Sequence, residues 1–104
     1  MFVVTVDFRI DPDQMTAFLP LMRENAALSL NLEPECRRFD VCTSREDREL
    51  VFLYEVYETE TAFQQHLGMA HFKRFDAATA EMVRSKSVTT YHLLPQAEVS
   101  NGPD

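Results

Sequence analysis

The stretch Glu49–Phe75, ELVFLYEVYETETAFQQHLGMAHFKRF, decides how the rest of the chain is read. Leu50 to Tyr57 is apolar and aromatic, with one charge, Glu55, set inside it. Such a run reads as a strand. It turns once at Glu58-Thr59-Glu60. A short helix follows, capped by Thr59 or Glu58, with Ala62, Phe63 and Leu67 at inward spacing. The region then carries two histidines, His66 and His71, on either side of Gly68. A carboxylate inside an apolar strand is either paired or turned towards a cavity, because a lone buried charge is costly. Glu55 therefore pairs with Arg37 or Arg38 across the adjacent strand, or it is buried with a raised pKa as a proton carrier.

Working outward, Cys36 to Thr43 reads as the strand before it, joined to Glu49–Glu58 by the charged connection Ser44–Arg48. Further upstream, Phe2 to Ile10 alternates. Phe2, Val4, Val6, Phe8 and Ile10 share one face; Val3, Thr5, Asp7 and Arg9 share the other. Asp11-Pro12-Asp13-Gln14 then reads as a helix start, with Asp11 as N-cap and Pro12 at the first helical position. Met15, Phe18, Leu19, Met22 and Ala26 follow at helical spacing. Pro20 should kink that helix, which runs to about Leu30. Glu33-Pro34-Glu35 is the break after it. Downstream, a helix is expected from Ala70 to Arg84 and a strand from Ser87 to Leu94, ended by Pro95. Residues 1–95 form one domain, and residues 96–104 read as a disordered polar tail.

The order β-α-β-β-α-β points to an α+β, ferredoxin-like subunit with both helices on one face of a four-stranded sheet. The opposite face is expected to carry Val51, Leu53, Tyr57, Tyr91 and Leu93. On a lone subunit this is a large apolar patch. A second copy packed sheet against sheet covers it, giving a homodimer.

Composition narrows the function classes. The 104 residues suit one domain with a small core, and an apolar fraction of 45% is ordinary. A formal charge of -7 argues against a nucleic-acid partner. No apolar run reaches membrane-spanning length, and Met1 leads straight into a strand pattern, so no membrane partner and a cytoplasmic location are expected. Glycine occurs only twice, which excludes a dinucleotide-binding loop. Cys36 and Cys42 are about 20 Å apart along a strand and cannot pair there. They read as free, inert thiols on one strand face.

The histidines are the candidate proton carriers, since histidine is the usual acid or base near neutral pH. Their spacing corresponds to about 140° on a continuous helix, too far for two ligands of one metal unless Gly68 interrupts it. No third ligand is evident from spacing, so no metal is expected. Asp40 shares the ambiguity of Glu55. Phe39 and Tyr54 are core aromatics or cavity walls.

The patterns Arg38-Phe39-Asp40-Val41, Phe52-Leu53-Tyr54-Glu55-Val56-Tyr57 and Phe63-x-x-His66-Leu67-x-x-x-His71-Phe72-Lys73 resemble the antibiotic biosynthesis monooxygenase (ABM) domain. The likeness covers residues 2–95 and is nearest to quinol monooxygenase-like and autoinducer-2 phosphate isomerase-like members. It implies a dimeric α/β barrel with a small-molecule cavity between helices and sheet, and no flavin or metal cofactor. Haem degradation is not expected. The haem-degrading members carry tryptophan near the position of His66, and Asp76 stands about where their haem ligand lies. Asn25 matches a cavity asparagine of the family, but Ala26 follows it where isomerase-like members have histidine. The resemblance implies a cofactor-independent monooxygenase of a small quinol or phenol. Isomerisation of a small hydroxyketone and non-catalytic ligand binding are the alternatives. On this reading His71 or His66 is the base, oriented by Asp40 or Glu55. Asn25 and Tyr54 are donors, and Phe39, Phe52, Phe63 and Phe72 are walls.

Overall fold

The computed structural model describes residues 1–99. Four strands, β1 (Phe2–Ile10), β2 (Cys36–Thr43), β3 (Leu50–Tyr57) and β4 (Val83–His92), form one sheet in the order β2-β3-β1-β4. All neighbours are antiparallel. Three helices complete the fold: α1 (Met15–Leu32), α2 (Glu60–Leu67) and α3 (Ala70–Thr79). This is the ferredoxin-like arrangement, its second helical segment broken in two. The tail read at 96–104 has no regular structure up to Val99, and residues 100–104 lie outside the described region.

β1 sits at the centre of the sheet because its alternation supplies a full inner row. Val4, Val6, Phe8 and Ile10 are all buried against the helices. Asp11 starts the next element as expected: its carboxylate accepts from the Asp13 N–H at 3.0 Å, over a 3-10 turn at Pro12–Gln14. α1 then buries Phe18, Met22, Asn25, Ala26 and Ser29 along one stripe. It continues through Pro20, which lies on the exposed side, and ends two residues beyond Leu30. Phe18 is fully buried, edge-on to Phe8 at 5.4 Å and to Phe75 of α3 at 5.8 Å. That trio ties α1 and α3 to the sheet.

Several boundaries and faces differ from the sequence reading. α3 stops at Thr79, not Arg84, and Val83 already pairs with Ile10 as the start of β4. On β3 the helix-facing residues are Val51, Leu53, Glu55 and Tyr57, all buried; the outer row is Phe52, Tyr54 and Val56. Val51, Leu53 and Tyr57 therefore belong to the core, not to the open face. Tyr91 and Leu93 are exposed as expected. A bulge between Cys36 and Arg38 shifts the register of β2. Cys36 is thereby buried opposite Tyr57, and Cys42 is exposed opposite Phe52. The two free thiols lie on opposite faces. No helix among the described residues is long and apolar enough to cross a membrane.

Candidate functional site

The segment that opened the sequence reading builds the site. Thr59 caps α2, its Oγ1 accepting from the Ala62 N–H at 3.1 Å. α2 buries Ala62 and His66 and then ends at Gly68. Met69 is extended, with φ -71 and ψ 145, and α3 restarts in a new direction at Ala70. This break removes the angular objection to the two histidines meeting. His66 and His71 are both buried and both reach the same carboxylate, that of Glu33.

Glu33 follows the last residue of α1. It was read only as part of a helix break, yet it is the third member of the cluster. Its Oε2 lies 2.9 Å from His66 Nδ1 and 2.5 Å from His71 Nε2. Burial opposes a charge on Glu33, but the hydrogen bonds and attraction of His66 and His71 outweigh it and hold the carboxyl below its ordinary range. An ionised carboxylate only accepts, so each histidine presents an N–H to it. In His66 this leaves Nε2 as the acceptor. Ser29 Oγ donates to the Asn25 carbonyl at 2.8 Å and stands 3.4 Å from His71 Nε2.

Glu33, His66 and His71 are the residue types that hold divalent cations, and their ligand atoms lie within 4.8 Å of one another. The absence of a third ligand, expected from spacing, is thus corrected. The carboxylate sits at hydrogen-bond distance from both rings.

His66 faces an interior cavity between helices and sheet, of about 40 Å³. Phe39, Phe63 and Phe72 pack around its ring at centroid distances of 5.9, 6.3 and 5.2 Å. Asn25 and Glu55 supply the cavity's other polar groups within the core. Asn25 is 3% exposed, and its Oδ1 is the one buried side-chain oxygen or nitrogen among the described residues without a hydrogen-bond partner. Glu55 accepts from the Tyr57 hydroxyl at 2.6 Å. Burial pushes the Glu55 pKa up, against the hydrogen bond from Tyr57, which lowers it. The expected pairing of Glu55 with arginine does not occur. Arg37 binds Glu58, and Arg38 binds Asp40 at 2.7 Å. Burial, with Glu33 and Glu55 nearby, pushes the Cys36 thiol up to about 12, so it is no nucleophile.

Of the other expected site residues, Tyr54 and Asp40 are paired across β2 and β3 on the outer face of the sheet, away from the cavity. Phe52 is there too, 37% exposed. Alternation along β3 rules out cavity roles for Tyr54 and Phe52, since inward Glu55 forces its neighbours outward. Asp40 orients no histidine; Glu33 does. His71 opens instead on a groove of about 280 Å³ between α1 and α3, beside Leu21, Leu28 and Ala78. Asn25 and Phe75 line both spaces.

The pattern described as Antibiotic biosynthesis monooxygenase (ABM) matches residues 1–78, three quarters of the sequence. The chain belongs to the ABM family. A solved protein of Nitrosomonas europaea, named as a putative antibiotic biosynthesis monooxygenase, is 28% identical. The alignment covers 91% of this chain and all of that one, with a TM-score of 0.87. Rv0793 from Mycobacterium tuberculosis is 26% identical over 93% of this chain and 98% of its own, with a TM-score of 0.82. An ABM-type protein from Caulobacter crescentus, at 19% identity, shares the fold over 90% of each chain with a TM-score of 0.87. No curated protein matches.

Proposed function

We propose that this ABM-family chain is a cofactor-independent monooxygenase acting on a small quinol or phenol in the interior cavity. The observation that carries the reading is the buried Glu33–His66 pair at the edge of an aromatic-walled space. Glu33 fixes the His66 tautomer and leaves Nε2 free to take a phenolic proton. It also stabilises the imidazolium that results. The quinolate left behind, held among apolar walls, is electron-rich enough to react with dioxygen. One oxygen atom enters the ring and the other leaves as water, the quinol supplying both hydrogens. The unpartnered Asn25 Oδ1 supports a ligand there as acceptor for a ring hydroxyl, with Glu55 a second polar group beside it, while the Asn25 amide N–H is the donor for the developing oxyanion.

In its closed form the cavity is far below the ~300 Å³ of a typical small-molecule site. Admission of a ring requires movement of the walls at its mouth, where Leu67 and Phe72 flank the helix break. We further propose that the active form is a homodimer, since the helices cover one face of the sheet and the other exposes Phe52, Tyr91 and Leu93.

Oxygen consumption with a panel of small quinols tests the reaction. His66→Ala should reduce turnover by ~10²–10⁴. Glu33→Gln should lower kcat and alter the pH profile with little change in KM, and His71→Ala should cost less than His66→Ala. Uptake indifferent to His66→Ala would show the base assignment to be wrong. Hydroxyketone isomerisation without oxygen uptake would favour an isomerase using the same base.

A further inference from the structure

One cation at the cavity mouth has no partner in the mechanism above. Lys86 stands on β4 in register with Phe8, so it projects over the helix-facing side of the sheet. Its Nζ lies 5.5 Å from the ring centroid of Phe8 and 5.5 Å from that of Phe72. Phe8 is a buried wall on the central strand, and Phe72 comes from α3. The ammonium thus spans the opening between strand edge and helix, beside the exposed Val88. Arg9, Arg37, Arg38 and Arg84 are all ion-paired, whereas Lys86 makes no ion pair among the described residues.

Arg23, Arg45, Arg48, Lys73 and Arg74 likewise make no ion pair among the described residues, but Lys86 is the one lysine or arginine that lines the interior cavity. The sequence has 17 acidic residues against 10 basic ones, so a lysine has many possible carboxylate neighbours. Lys86 instead rests on two aromatic faces, which attract a cation modestly and leave its N–H donors free. Glu55, the acid lining the same cavity, bonds the Tyr57 hydroxyl and feels the Lys86 charge without forming an ion pair with it. A free cation fixed at the rim of an apolar cavity favours a ligand whose ring goes inward and whose negative group stays at the rim.

We propose that Lys86 forms an anion-binding subsite at the cavity mouth, and that the substrate is a phenol or quinol carrying a carboxylate or phosphate. This rests on the oxygenase reading for the fate of the ring, but the subsite is defined by binding alone. The charge-assisted contact is of the kind that gives about tenfold in affinity.

Calorimetric binding without dioxygen tests it with three rings: hydroquinone, 2,5-dihydroxybenzoate and 4-hydroxyphenyl phosphate. The wild-type chain should bind at least one anionic ring about tenfold more tightly than hydroquinone, and the stronger of the two identifies the anion. Lys86→Met keeps the apolar stem over the rings and removes the charge, so the preference should collapse towards unity. Lys86→Arg should preserve it. Equal affinity for charged and neutral rings in the wild type, no binding of any of them, or a preference that survives Lys86→Met would overturn the proposal. Because no oxygen is present, a later failure to consume oxygen counts against the oxygenase reading and leaves the subsite result intact.

Discussion

Two buried carboxyls, Glu33 and Glu55, share one core and are pushed in opposite directions. Glu33 is held low by its histidines, so its share of the stability is present above the ordinary value of 4.5 and is lost as acid protonates it. Glu55 is held high by burial, so the folded chain keeps a proton that the unfolded chain has released. Its effect is to lower stability as pH rises from 4.5 through the folded value. Glu55→Gln keeps an acceptor for the Tyr57 hydroxyl and removes the titration. Melting temperatures between pH 5 and 8 should therefore show the variant gaining on the wild type as pH rises. A gap that stays constant with pH would show that Glu55 does not titrate in this window. The two residues were unequally legible. Glu55 stood out as one charge in an apolar run. Glu33 was hidden between Pro34 and the end of α1, where a polar residue is unremarkable. Its signal was electrostatic: an acid at a helix C-terminus opposes the macrodipole, and it stays there only if something nearby compensates. Here His66 and His71 do so.

The break between α2 and α3 brings the histidines together, and it does not depend on glycine. Gly68 has φ -92 and ψ -5, an ordinary helical-side conformation; the turn is made by the extended Met69. A Cβ on Gly68 would meet the Gln65 carbonyl oxygen at 3.5 Å, an ordinary contact. Gly68→Ala is therefore expected to be tolerated, and to stabilise by ~0.4–1 kcal/mol through the unfolded chain. Denaturant unfolding checks this. A loss above ~1 kcal/mol would show that the junction needs the glycine after all. The sequence placed an interruption at Gly68, and α2 does end there; the extended Met69 then sets the new direction. The end of α3, by contrast, was missed. Met82 and Val83 fit the apolar spacing of a longer helix, but Val83 gains a strand partner in Ile10. The Thr79 hydroxyl bonds back to the Phe75 carbonyl at 2.9 Å as the helix ends.

At the scale of the molecule, topology was readable from element order, while the inward face of β3 was not. β3 is apolar on both sides, so alternation gives a period without saying which phase points inward. Val51, Leu53 and Tyr57, in the row holding Glu55, were expected on the open face. The core instead takes that row, because Tyr57 satisfies the carboxyl internally at 2.6 Å and is itself fully buried. The correction changes which residues make the open face but not its character: Phe52, Tyr91 and Leu93 are 37%, 50% and 46% exposed there, alongside Tyr54. They lie in a shallow concavity with Val3 and Thr5 on the central strand. A sheet face of this kind suits a sheet-on-sheet contact, and a stable interface needs ~800 Å² from each partner. The chain should therefore run at twice its monomer mass in light scattering at micromolar concentration. Phe52→Lys with Tyr91→Lys places like charges on both copies across the contact, and should yield monomers with unchanged far-ultraviolet dichroism. Val51→Lys, on the face first expected to be open, should unfold the subunit instead, because Val51 is 1% exposed in the core. A wild-type monomer at these concentrations would remove the dimer from the proposal, and would leave the apolar outer face without a role.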